Sequence, residues 1–174
     1  IAANPAPVFI GFGSMRGFDP VAVFGGLIQA LGTRPILLSP GWAALPEDWP
    51  LPTHVRLCPP VPHEALFPHC ALVIHHGGSG TTHSASRAGV PQLVLPMVAD
   101  QPFWARHLYA RGVAGPPLSL KRFDRPTLQH AIAVATDPDT VARAGALGAA
   151  MAVEDGVAMA VATTVAMAAN RSSV

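Results

Sequence analysis

At 174 residues the chain has room for one globular unit with a proper hydrophobic core and too little for two. Half of its residues are apolar, 12% are charged and the formal net charge is +1, which leaves no basic field to hold a nucleic-acid backbone. The longest apolar stretch, Val157 to Ala169, is mostly Ala and Val with Thr163 and Thr164 inside it; it is shorter than a membrane span and reads as a packed helix, so stable membrane insertion is not expected.

The opening run Ile1 to Pro7 has no initiator Met, no basic n-region and no long apolar h-region, and reads as the middle of a longer chain. Short, continuous runs rich in Val, Ile and Leu follow, at Val8 to Gly11, Pro35 to Ser39, His54 to Cys58, Leu72 to His75 and Gln92 to Leu95, with a sixth candidate near Val113. Helical segments separate them, which is the pattern of βα units around a buried parallel sheet; the expected class is α/β, a Rossmann-like sheet flanked by helices. Asp19-Pro20 opens a helix through Val23, Leu27, Ile28 and Leu31, and Gly32 closes it. A second helix is expected from about Thr81 to Ala88, ended by Gly89-Val90-Pro91, and a third from Asp100-Gln101-Pro102 to about Arg111. From Asp124 the chain is Ala-rich and helical, with breaks at Asp137-Pro138-Asp139 and near Asp155-Gly156. Cys58 and Cys70 do not form a CxxC pair and lie in apolar surroundings, which suits reduced, buried thiols in a cytoplasmic protein. A mean hydropathy of +0.36 points to an apolar face that another domain or subunit covers.

In a doubly wound sheet ligands lie beyond the carboxyl ends of the strands, so the loops after Gly11, Ser39, Cys58, His75 and Leu95 are the ones that carry chemistry. The run from Leu72 through His75-His76-Gly77-Gly78-Ser79-Gly80-Thr81-Thr82 places glycines, then hydroxyls, at a helix N-terminus. Free N–H groups and the positive helix end favour an anion there by roughly 0.3 to 1 kcal/mol, and up to about 2 when partly buried. Glycine can also serve a tight strand-to-helix turn by geometry alone; the double His shifts the balance toward a phosphate site. His75 and His76 point to opposite sides if both are extended, and His76 is the one expected to face a ligand. No Lys follows the glycines, which excludes a Walker A loop, and Thr81 stands where a GxSxG elbow needs Gly. Gly11-Phe12-Gly13 with Gly17 misses the GxGxxG spacing, but Gly13-Ser14 can add a backbone and hydroxyl contact to phosphate. His63-Glu64 has Phe67 where a zincin needs its second His, and no metal site is expected.

Taken together, Val8 to Met15, Ser39-Pro40-Gly41-Trp42, Val61-Pro62-His63, His75 to Thr82, and Ala88 to Pro91 with Asp100-Gln101 closely resemble the donor-binding domain of family 1 glycosyltransferases of the GT-B fold. The resemblance is strongest to bacterial enzymes that glycosylate antibiotics, other natural products or sterols, and it covers nearly the whole chain. It implies that His76, Gly78, Gly80 and Thr81, with Ser79 among them, hold the donor diphosphate, and that Ser14 meets it from the opposite loop. Asp100 and Gln101 would bind sugar hydroxyls, while Trp42 and the backbone around Val61 and Pro62 flank the nucleobase. Plant members carry Glu where this chain has Ser84, and there it grips the ribose diol. Loss of that grip removes about 1 to 3 kcal/mol of preference for ribose, so a dTDP-sugar becomes a donor beside a UDP-sugar.

The implied reaction is inverting transfer of a hexose to an acceptor hydroxyl, with negative charge growing on the leaving diphosphate and neither metal nor cofactor required. The general base, a His or Asp in the family, belongs to an N-terminal acceptor domain outside this sequence, so the chain alone is expected to be inactive. Two alternatives stay open: the same fold in a lipid-linked GlcNAc transferase or sugar-nucleotide epimerase, against which Asp100-Gln101 argues, and a non-catalytic nucleotide-binding module. Arg16, Phe18, Met97 and Phe103 also fall near the expected cleft.

Overall fold

The runs of aliphatic residues form five short parallel strands, β1 (Val8–Gly11), β2 (Ile36–Ser39), β3 (Val55–Leu57), β4 (Leu72–His75) and β5 (Gln92–Val94), in the order β3-β2-β1-β4-β5. This is a computed structural model, and it describes residues 5–120 and 124–171; Ile1 to Asn4 of the opening run lie outside the described residues. Every residue of β1 and β4 is buried, because these strands lie inside the sheet and are covered on both faces. Val8 sits opposite both Ile36 and Leu72 in the ladder, and Gly11 opposite both Ser39 and His75. The chain runs outward from β1 to β3 and then returns to β4 on the other side of β1. The loops that follow β1 and β4 therefore part from each other, and a crevice opens between them at the carboxyl edge.

One face is covered by α1 (Pro20–Leu31) and α5 (Arg125–Ala135), whose Phe24, Leu27, Ile28, Leu128 and Ile132 pack on Ile10, Leu38, Ile74 and Leu93. The other carries α2 (His63–Leu66), a 3-10 turn at Phe67–His69 and α3 (Ser79–Arg87), which enclose Phe9, Val73, Ala85 and Val90. Beside them α4 (Gln101–Ala110) and α6 (Pro138–Ala152) pack on Val94, Val113 and Ala114. The carboxylate of Asp19 caps α1 as expected, accepting from the N–H groups of Val21 and Ala22 at 3.0 and 3.1 Å. Asp137 and Asp155 start α6 and α7 (Gly156–Arg171) in the same way, accepting from Asp139 and Ala158 N–H at 2.9 Å each.

Three expectations change. The sixth strand near Val113 is only a single bridge, Gln92 to Ala114, because the backbone there passes tightly under α5: a Cβ on Gly115 would lie 2.4 Å from the Ala131 carbonyl oxygen. The helix α3 begins at Ser79, two residues before Thr81, so the glycine turn is tighter than expected. Most clearly, Val157 to Ala169 is not a packed helix: residues 152–168 are exposed, Val157 at 76% and Met167 at 66%. Both faces of the sheet are already covered by other helices, and α7 leaves α6 at an angle of 45°. Among the described residues no single helix is long and apolar enough to cross a membrane.

Candidate functional site

At the carboxyl end of β4, Gly77 takes a φ of +90°, which turns the chain sharply, and Gly78 is the extended N-cap of α3 with no side-chain cap. The first helical bond runs from Thr82 N–H to the Gly78 carbonyl at 2.9 Å. The N–H groups of Ser79, Gly80 and Thr81 thus have no partner among the described residues, and they point out of the helix end where its dipole is positive. Ser79 and Gly80 are exposed and Thr81 is half-buried. A Cβ built on Gly80 meets nothing within 4 Å, so no protein neighbour explains glycine there.

The ring of His76 lies between two glycines of facing loops. A Cβ on Gly78 would stand 2.5 Å from its Nε2, and one on Gly13 3.5 Å from its Cε1. Burial holds the imidazole below its ordinary range, with Asp100 pulling the other way, so His76 is mainly neutral near pH 7. Its Nδ1 is buried and has no hydrogen-bond partner. Across the crevice, Met15 N–H donates to the Phe12 carbonyl at 3.0 Å and closes a turn that leaves Ser14 exposed at its tip. The Trp42 N–H donates to the Gly13 carbonyl at 2.8 Å, which ties the β2 loop to the β1 loop.

Beside this junction is a cleft of about 610 Å³ lined by Gly13, Gly41, Trp42, Cys58, Val61, Pro62 and His63. Trp42 is 62% exposed, with the Arg16 guanidinium 4.9 Å over its ring, and His63 stacks on Phe67 at 4.4 Å. The cleft is lined mainly by apolar groups, which suits a planar heterocycle. A hollow of about 570 Å³ between the β1 and β5 loops is lined by Arg16, Phe18, Met97 and Val98. Phe103 is exposed on α4 and stacks on His107 instead. Ser84 lines a separate hollow of about 770 Å³ with Glu64, His83 and Arg87.

The β5 loop is held by Gln101, only 4% exposed, whose Oε1 accepts from the N–H groups of Met97 and Val98 at 2.8 and 3.0 Å. Its Nε2 donates to the Met15 sulfur at 3.4 Å, a weak acceptor, so this amide group bridges the β5 and β1 loops. Asp100 is exposed, and its Oδ2 accepts from Trp104 Nε1 at 2.7 Å.

Sequence reasoning missed what lies beneath the turn. His75 is fully buried and joins a chain of polar groups on the α3 side of the sheet: Gly77 N–H donates to its Nδ1 at 3.0 Å. With Nδ1 accepting, Nε2 carries the proton and donates to Gln92 Oε1 at 2.9 Å, and Gln92 Nε2 donates to Ser86 Oγ at 3.0 Å. The only sequence signal was a Gln opening an apolar strand and a His closing another.

Residues 40–167 match the family described as the erythromycin biosynthesis protein CIII-like C-terminal domain. The chain is 44% identical over 152 residues to the vancomycin aglycone glucosyltransferase of Amycolatopsis orientalis, covering 83% of this chain and 35% of that protein. It is 36% identical over 164 residues to a sterol 3-beta-glucosyltransferase of Arabidopsis thaliana, covering 90% and 25%. Among solved structures, the spinosyn rhamnosyltransferase SpnG with spinosyn aglycone superposes with a TM-score of 0.72 at 33% identity, over 91% of this chain and 44% of that one. The glycosyltransferase VinC in complex with dTDP gives a TM-score of 0.77 at 24% identity over 94% and 42%, a likeness of fold. This chain spans about a quarter to a third of the curated relatives' length. By its match over residues 40–167 and its doubly wound sheet, the chain belongs to the erythromycin biosynthesis protein CIII-like C-terminal domain family, a domain of glycosyltransferases with the GT-B fold.

Proposed function

We propose that this chain binds the nucleotide-diphosphate sugar donor for inverting transfer of a hexose to an acceptor hydroxyl of a small natural product or sterol. The observation that carries the reading is the set of unpartnered N–H groups on Ser79, Gly80 and Thr81, opening beside His76 onto the crevice between β1 and β4. The diphosphate rests on those groups and on the hydroxyls of Thr81 and Ser14, with Gly78 leaving room for the His76 ring. The nucleobase enters the adjoining 610 Å³ cleft between Trp42 and the backbone of Val61. Asp100 and the Nε2 of Gln101, whose partner is the Met15 thioether while its Oε1 is taken by Met97 and Val98, meet the sugar hydroxyls. As the glycosidic bond breaks, charge grows on the leaving diphosphate, and these fixed donors stabilise it without reorganising. The acceptor and its general base come from an N-terminal domain, and the exposed apolar run of α7 supports a second domain lying against the chain. The chain alone is then inactive as a transferase.

Titration calorimetry of the folded chain with UDP and dTDP, without metal, tests this. A dissociation constant of roughly 10 µM to 1 mM is expected, weakened about tenfold by His76→Ala and about threefold by Thr81→Ala. A folded sample that binds neither nucleotide overturns the reading. With Ser84 in place of a ribose-gripping Glu, dTDP binds at least as tightly as UDP; a clear UDP preference removes the dTDP-sugar assignment.

Gly80 gives a separate test, because stability and binding move in opposite directions. Its Cβ position is open space, and alanine suits a helix better than glycine, so Gly80→Ala raises stability by about 0.5 kcal/mol. The same methyl occupies the approach to the free N–H groups and weakens nucleotide binding about tenfold. Urea unfolding and the same titration read the two effects, and unchanged affinity in a stabilised variant contradicts the phosphate assignment.

A further inference from the structure

We infer that His75 is a positioning residue for the donor diphosphate: its Nδ1 holds the Gly77 N–H, and through that bond it fixes the turn that presents His76 and the free N–H groups of α3. The inference rests on the donor-binding reading above. His75 touches no ligand itself. It is fully buried beneath the turn on the α3 face of the sheet, and its neighbours there are α3 and β5.

Gly77 turns the chain through a positive φ, and its residue is buried, so water does not satisfy its N–H. A side chain that accepts from the N–H two residues on closes the kind of turn that Asn and Asp side chains make. An imidazole does so here only if it is held in the plane that aims Nδ1 at Gly77. That orientation comes from the far end of the ring, where Nε2–H meets Gln92 Oε1 at 2.9 Å, and Gln92 is in turn held by Ser86 on α3. Pairing of Val73 with Gln92 and of His75 with Val94 puts both side chains on the same face of adjacent strands. The relay therefore runs from the body of α3, through β5 and β4, back to the turn in front of the same helix. It sets the height of the turn relative to the helix end, which is the dimension a diphosphate senses.

Two substitutions separate the positioning bond from the packing. His75→Asn keeps an acceptor where Nδ1 stands and gives up the contact to Gln92. His75→Gln reaches toward Gln92 in place of Nε2 and leaves the Gly77 N–H without an acceptor. Each leaves one buried polar group unpaired, so similar losses of Tm are expected. Binding of UDP and dTDP is expected to stay within about threefold of the parent in His75→Asn and to weaken about tenfold or more in His75→Gln. Amide hydrogen exchange at Gly77, measured without nucleotide, is expected to stay slow in His75→Asn and to accelerate in His75→Gln. Slow exchange at Gly77 in a folded His75→Gln overturns the inference, as does equal nucleotide affinity of the two variants. A parent chain that binds neither nucleotide defeats the donor-binding reading instead, and the Gly77 exchange then still decides whether His75 holds the turn.

Discussion

Gly41→Ala lowers the stability of the chain by about 3 kcal/mol and loosens the cleft beside Trp42, whereas Gly17→Ala costs about 1 kcal/mol. Both glycines have positive φ, +61° at Gly41 and +82° at Gly17, so both substitutions place an L side chain in the left-handed region. Only Gly41 adds a collision. Its Cβ would lie 2.0 Å from the Gly13 carbonyl oxygen and 2.8 Å from the Gly13 carbonyl carbon, while nothing lies within 4 Å of the Cβ at Gly17. Backbone is the obstacle, so no rotamer change relieves it. The Gly13 carbonyl also accepts from Trp42 N–H, and the two loops must separate to admit the methyl group. That separation moves Trp42 away from Val61 and Gly13 away from His76, so on the proposed donor-binding reading nucleotide affinity falls with stability. Urea unfolding of both variants checks the contrast; equal losses mean that backbone conformation alone sets the cost and the close approach of the loops is not rigid.

The inner strands β1 and β4 were readable because they are buried on both faces, and a doubly buried strand has to be a largely continuous apolar run. The start of α1 was readable because Asp19 and Pro20 solve a local problem, the unpartnered N–H groups at a helix end, with residues adjacent in sequence. The fate of α7 was not readable. An Ala, Val and Met run declares that it is apolar but not what covers it, and here nothing in the described chain does. The run at Val113 failed for a related reason: its apolarity serves packing between Val94 and α6, while Gly115 lies too close to α5 for a regular ladder.

The site divides along the same line. The β4 turn was visible because glycine, hydroxyl and helix N-terminus must be consecutive to make an anion site. His75, Gln92 and Ser86 were not, since they are brought together only by strand register and by the way α3 lies on the sheet. Gln101 was read for its ligand chemistry, and nothing beside it in the chain signals that its Oε1 is taken by Met97 and Val98. Side chains that hold a loop and side chains that touch a ligand have the same composition, and only the folded arrangement separates them.

Acid destabilises this chain, and His75 is the main cause. Burial pushes its pKa from the ordinary 6.5 down to about 3; the bond to Gln92 works in the opposite direction, and His76 and His63 add to the depression. Between those two values the unfolded chain binds a proton that the native chain refuses, so the stability contributed by neutral His75 is complete above pH 6.5 and falls as the pH falls, until the native group itself titrates near 3. One proton taken up on unfolding costs at most about 1.4 kcal/mol for each pH step, and a loss of roughly 1 kcal/mol per step is expected from about pH 6 to pH 4. Burial lowers the pKa of His63 and His76 as well and adds to the loss in the same direction. Urea midpoints at about pH 7.5 and about pH 5 bracket the window and measure it, with His75→Asn as the comparison: that variant starts lower at the higher pH and loses less on acidification. A parent midpoint that does not move between these conditions contradicts a neutral, buried His75. The same protonation has a local consequence, because an imidazolium has no lone pair at Nδ1 for the Gly77 N–H. In the native chain that protonation comes only as the pH approaches about 3, so the protection of the Gly77 amide, measured relative to its intrinsic exchange rate, falls there ahead of the strand amides, and the turn at the proposed phosphate site opens before the sheet beneath it.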